Sequence, residues 1–181
     1  MECLVFANQM RDISLNDLSI RKDAIGESTF IQSNLHFSND KGCKYLEEEI
    51  AKLRNLCWRE AGVDRSQKGM AVAFSSVKID YENLLKEPLL NLVFNQSKNA
   101  IHRFDEIARR DLNLLIDLSN RQIASLLMLE ASLFRQESRG GHFRGDFPSS
   151  VPFWKCHTRQ VKGKNIHTRP VSEITVISKN L

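Results

Sequence analysis

Apolar residues in the middle of the chain fall into three helical stripes. Leu46, Ile50, Leu53 and Cys57 follow one another at steps of four, three and four residues. That spacing places them on one helix face, with Glu48 and Lys52 paired four residues apart outside it. Gly62 stands where this helix ends, and Ser66 is a side chain that accepts from the free N–H groups of a second helix. Met70, Phe74, Val77, Tyr81 and Leu84 form the second stripe, which Pro88 stops. The connection 63–66 is short, so the two helices are predicted to run antiparallel. A third stripe runs from Ile101 and Phe104 through Ala108, Leu112, Leu115, Ser119, Ile123, Leu126 and Leu129 to Leu133. Unbroken from 101 to 137 it would be about 55 Å long, which predicts a kink or a frayed start before Asp105. Covering three stripes against one another gives a mainly α chain with a three-helix bundle.

The flanks follow other rules. Leu4, Phe6, Met10 and Ile13 suggest a short opening helix, and 14–40 reads as a polar, irregular connector. Residues 88–98 read as a linker carrying an apolar patch. Past Pro148 the pattern changes to short segments enriched in Thr and Val, 153–161 and 165–171, separated by Lys162-Gly163-Lys164. This predicts a short β-hairpin tail, with 174–177 as a further strand. The expected organisation is therefore 1–40, 41–148 as a helical domain, and 149–181 as a basic hairpin tail.

Composition changes the picture little: 181 residues, 41% hydrophobic, 8 Gly and 4 Pro are ordinary for a domain with a core. No apolar run is long enough for a membrane span, and the opening Met1-Glu2-Cys3-Leu4-Val5-Phe6 is short and lacks the basic flank of a signal peptide. A cytoplasmic protein is the expectation. Cys3, Cys43, Cys57 and Cys156 show no Cys-x-x-Cys spacing, so they read as reduced thiols. Cys156, His142, His157 and His167 lack the short spacings of a zinc site, and no metal is expected. The net charge of +4 is uneven. From Arg139 onward there are eight Lys or Arg against Asp146 and Glu173, which makes that stretch +6. Such a tail suits solubility, an acidic partner or an anionic substrate. Nucleic acid is disfavoured because no aromatic stacking platform accompanies the charge.

The densest chemistry lies at 135–148. Gly140-Gly141 are expected to stop the third helix, with Arg135 and Arg139 near its exposed carbonyls. His142, Arg144 and Asp146 then fall on irregular backbone, where polar side chains often serve a site or an interface.

Glu137-Ser138-Arg139-Gly140-Gly141-His142-Phe143-Arg144-Gly145-Asp146-Phe147-Pro148 resembles the signature Glu-Ser-Arg-Gly-Ala-His-Tyr-Arg-x-Asp-Phe-Pro. That signature lies near the C-terminus of the succinate dehydrogenase, fumarate reductase and L-aspartate oxidase flavoproteins. Leu53-Arg54-Asn55-Leu56-Cys57-Trp58 with Ala61-Gly62-Val63 and Arg65 is similar to a helix end in the same family. Glu2-Cys3-Leu4-Val5-Phe6 resembles the segment after its Asn-Ser-Leu flavin contact, and Trp154 with His157-Thr158 its Trp-x-x-His-Thr. The matches cover 1–11, 44–66 and 112–158, in the family's order.

The resemblance implies the C-terminal region of a larger flavoenzyme. The family's dinucleotide loop, substrate-binding His and Arg residues and flavin-contacting Ser-Leu precede the point where this sequence starts, and no Gly-x-Gly-x-x-Gly occurs in it. The implied cofactor is FAD in the full-length parent, with none bound to this chain. No catalytic, cofactor-binding or metal residue is expected here, and the implied partners are the parent's flavin-binding and capping domains. Arg139, His142, Arg144 and Asp146 are expected to form an exposed interdomain interface. The direct run of 149–153 into Trp154 resembles the L-aspartate oxidase branch, which oxidises L-aspartate to iminoaspartate in de novo NAD biosynthesis. Other enzymes of quinolinate synthesis are then implied as further partners. The alternatives are a fumarate reductase or succinate dehydrogenase flavoprotein subunit, and a free-standing helical module whose basic tail binds an acidic protein.

Overall fold

A computed structural model of the chain describes residues 29–39, 41–94 and 100–171. The expected opening helix and the strand at 174–177 lie outside them. Three long helices form the body: α1 (Cys43–Ala61), α2 (Gln67–Leu84) and the 29-residue α4 (Glu106–Phe134), with the short α3 (Pro88–Phe94) against α4. Two strands, β1 (Thr29–Gln32) and β2 (Ala100–Arg103), pair in parallel, and an antiparallel hairpin, β3 (Cys156–Arg159) with β4 (His167–Pro170), closes the described part. The chain is mainly α, with the bundle and hairpin that the pattern predicts. No helix among the described residues is long and apolar enough to cross a membrane.

The stripes meet as expected. Leu46, Ile50 and Leu53 of α1, Met70, Ala73 and Val77 of α2, and Leu112, Leu115, Leu118 and Leu129 of α4 are buried together. Ser66 caps α2 by accepting from Gly69 N at 3.2 Å. Gly62 ends α1, because a Cβ at this position would collide with the Trp58 carbonyl oxygen. The buried face of α4 is less apolar than that of a core helix usually is. Ser119, Gln122, Ser125 and Ser132 are all buried, and the Cys57 thiol donates to Ser125 Oγ at 3.3 Å.

Three expectations are corrected. Residues 88–94 are helical: Pro88 occupies the first helical position, where its missing N–H costs nothing, and Leu89 and Leu90 are fully buried. Residues at the start of the third stripe, 100–103, extend β1 instead, a long-range parallel pairing that local periodicity does not reveal. Part of the connector, 29–32, is accordingly strand. The frayed-start reading holds: α4 begins at Glu106, capped by Asp105 Oδ1 accepting from Ala108 N at 2.7 Å.

Candidate functional site

The segment after α4 is a clasp that joins two helix ends. Helix α4 stops at Phe134, with Arg135 extended, and its last carbonyls point into the loop. Arg144 Nη1 donates to the carbonyls of Ser132, Leu133 and Arg135 at 3.2, 3.1 and 3.2 Å. A guanidinium therefore sits on the negative end of the α4 dipole. Its Nε and Nη2 face Asp146 in a bidentate pair, at 2.9 and 2.6 Å, and Nη2 also reaches Gln67 Oε1 at 2.8 Å. Asp146 Oδ2 in turn accepts from Gln67 N at 2.9 Å, the first amide of α2. Cation and anion each satisfy the helix end that carries the opposite partial charge, so one ion pair ties the C-terminus of α4 to the N-terminus of α2. The Arg144 hydrogen bonds hold the Asp146 carboxyl at about 2, well below the usual carboxylate range, against the opposing effect of its partial burial. Phe147 covers the guanidinium, its ring centroid 4.6 Å from Arg144 Cζ.

A second buried charge anchors the hairpin. Glu137 is fully buried and accepts from Arg135 Nε at 2.9 Å, from Arg139 Nε and Nη2 at 2.9 and 3.0 Å, and from Val151 N at 3.0 Å. Its carboxyl is lowered to about 2, chiefly by Arg139, with burial opposing. Arg135 continues outward, donating to the carbonyls of Trp154 and Cys156, and lies against the Trp154 ring. Phe134 meets that indole edge-on at 5.4 Å between centroids.

His142 is the third element. Its Nδ1 lies 2.9 Å from Arg65 Nη1 and its Nε2 3.3 Å from the Arg135 carbonyl. An arginine can only donate, so Nδ1 accepts and Nε2–H donates, which is the neutral imidazole. Burial and the charges of Arg65, Arg144 and Arg135 push its pKa down, while the Arg135 carbonyl resists. Arg65 also donates to the carbonyls of Ala61 and Gly62, and its own carbonyl accepts from Gly145 N at 2.9 Å.

These placements change the reading of the expected interface residues. Arg144 is wholly buried and its hydrogen-bond partners lie inside the chain, so it is an internal tie; the expectation that it forms an exposed face is overturned. Asp146 spends its carboxylate on Arg144 and the α2 terminus. His142 faces Arg65 and α4 and is partly buried. Arg139 keeps 40% of its side chain exposed and donates to the carbonyl of the exposed Val151; Phe143 and Phe153 are exposed too. The glycine reading is corrected too: Gly140, at φ +56°, makes a tight turn closed by the mutual Arg139–His142 backbone bonds, well beyond the end of α4. The carbonyl-capping role expected of Arg135 and Arg139 belongs to Arg144. Glu137, Arg65 and Gln67 were not singled out from sequence, although Glu137 and Arg65 stand within the two matched segments. Among the described residues no cluster of His, Cys, Asp or Glu is arranged to hold a metal. The charged groups of the clasp are spent on one another and on backbone carbonyls, an arrangement that can hold a surface in shape.

A helical bundle with a short hairpin is what the family resemblance implies, and comparison with known proteins agrees on the family. The chain belongs to the family described as fumarate reductase flavoprotein C-term, whose pattern matches residues 50–179. It is 29% identical over 162 residues to L-aspartate oxidase of Nostoc sp., covering 87% of this chain and 28% of that protein. Against L-aspartate oxidase of Synechocystis sp. the identity is 29% over 178 residues, 94% of this chain and 30% of that one. A fumarate reductase (CoM/CoB) subunit of Methanothermobacter marburgensis is 29% identical over 106 residues, 58% of this chain and 17% of its own length. The chain thus spans less than a third of these relatives.

Proposed function

We propose that this chain is the C-terminal helical domain of an L-aspartate oxidase, an FAD-dependent enzyme that oxidises L-aspartate to iminoaspartate. The observation that carries this reading is the match to two L-aspartate oxidases across nearly the whole chain. The direct run from Pro148 into Trp154 supports the same branch. Flavin supplies the hydride chemistry in such enzymes, and the protein positions and shields the reactants. The role of this domain is to brace the flavin-binding and capping domains. Its proposed contact residues are Arg139 with the exposed Phe143, Val151 and Phe153; Arg139 donates to the Val151 carbonyl, and Glu137 accepts from Val151 N. Arg144 and Asp146 act on these residues from behind.

The fumarate reductase reading stands second, favoured by the partial match to the Methanothermobacter protein. Reconstituting the chain with its flavin-binding and capping domains separates the two. The expected product is a yellow complex that consumes L-aspartate and leaves succinate untouched, while the chain alone is colourless and inactive. Turnover of succinate with L-aspartate inert selects the second reading. Failure to associate at all defeats both and leaves a free-standing interaction module.

A further inference from the structure

We propose that the cleft bounded by α1, α2 and α4 binds a small organic ammonium ion. Glu49 of α1, Asp80 of α2 and Glu87 just before α3 line one cavity of about 230 Å³ whose lining has no cationic side chain, while Lys52 and Arg59 line an adjoining cavity that shares Glu49, Asp80 and Gln122. Phe37 and Tyr45 form an aromatic wall, their ring centroids 6.1 Å apart. Gln122 of α4 lines the buried end: only 5% exposed, its Oε1 has no hydrogen-bond partner.

The acceptors are unequally occupied. Glu87 receives Ser38 N and Oγ at 3.1 and 2.6 Å. Glu49 receives Lys52 Nζ at 2.5 Å, from a side chain that is 68% exposed. Asp80 is exposed on its outer side and has no ion pair or hydrogen bond among the described residues; partial desolvation and the Glu49 charge push its pKa up, with Lys52 opposing. An unpaired buried amide oxygen lining the same cavity as an open carboxylate suits a donor carrying positive charge. An alkylammonium meets that demand with N–H groups for Gln122 Oε1 and Asp80, and its charge is favoured against an aromatic face. The carboxylates stand round the wall and do not converge as metal ligands do.

The test is a titration of the full chain at neutral pH with n-propylammonium, followed by NMR of the Gln122 side-chain amide and by calorimetry. Parallel arms use tetramethylammonium, which is a cation without N–H donors, and Mg²⁺. Saturable propylammonium binding is expected, with tetramethylammonium and Mg²⁺ at least roughly tenfold weaker. Asp80→Asn, at a carboxylate that reaches solvent, and Gln122→Leu should each weaken binding about fivefold or more. Glu48→Gln, on the exposed face of α1, should leave it unchanged. Absence of saturation up to about 50 mM, equal affinity for the three cations, or undiminished binding to Asp80→Asn overturns the proposal.

Discussion

Replacing Arg144 by alanine should cripple the helical domain itself. The substitution removes a fully buried guanidinium that bonds three carbonyls at the end of α4, the Gln67 side chain and both oxygens of Asp146. The Ser132 and Leu133 carbonyls lose this donor, the Arg135 carbonyl keeps only His142 Nε2, and Asp146, with 29% of its side chain exposed, keeps only the α2 terminus. Breaking a buried pair by deleting one member costs roughly 3 to 5 kcal/mol, and the open edge at Asp146 puts the expectation at the lower end, about 3 kcal/mol. For a chain of this size that is a fall in Tm of roughly 6 to 12 °C. Urea unfolding of the isolated chain gives the loss directly. Arg144→Lys should recover less than half of it, because an ammonium cannot bond Asp146 in a bidentate fashion while reaching the carbonyls. In the double-mutant cycle with Asp146→Ala, the coupling should be about 1 to 3 kcal/mol. An exposed interface residue would behave differently, leaving the isolated chain unaffected and weakening only its association with the flavin domain. Stability of Arg144→Ala within about 0.5 kcal/mol of the parent chain would refute the clasp.

Leu115→Ala and Leu53→Ala, both in the core, should each cost about 2 to 5 kcal/mol by the same urea measurement, and Phe74→Ala, less deeply buried, should fall near the bottom of that range. Gly62→Ala should destabilise clearly because its Cβ strikes the Trp58 carbonyl, whereas Gly141→Ala, with open space around it, should be silent in a thermal melt. Glu137 and Asp146 have carboxyls depressed to about 2, so their contribution is complete above their ordinary values of 4.5 and 3.8 and disappears as pH falls through about 2. His142 is depressed from 6.5, so its contribution is present above 6.5 and is lost as pH drops through its lowered value; His142→Gln should flatten that part of a stability–pH curve.

How much of this was legible in the sequence depended on the range of the interaction. The first two stripes, the third from Ala108 on, the Ser66 cap, the Gly62 stop and the hairpin are local patterns of period 3.6 or 2, and each appears where the pattern puts it. The pairing of β1 with β2 joins segments far apart in sequence, with register Thr29 to Ala100, and no local signal encodes such a partner. Pro88 read as a stop because proline ends helices, yet it also begins them, and only the burial of Leu89 and Leu90 decides between the two. Charge density at 135–148 was visible as well; its direction was not. Arginines on irregular backbone look alike whether they face a partner domain or the end of their own helix.

The two internal motifs that carry the family resemblance turn out to be halves of one structure. Arg65, from the first, bridges to His142 at 2.9 Å, and its backbone carbonyl receives Gly145 N, both from the second. Gln67, two residues beyond Arg65, completes the coordination of Arg144 and is itself capped by Asp146. The Arg, His, Arg and Asp of the signature therefore answer to a requirement internal to this chain: a loop dense in charged groups must be closed on two helix ends without leaving a buried carbonyl or charge unpaired. Such a requirement is independent of any substrate. It explains how one signature resembles oxidases and reductases alike, while Arg139, Phe143, Val151 and Phe153 lie outside that requirement and remain exposed.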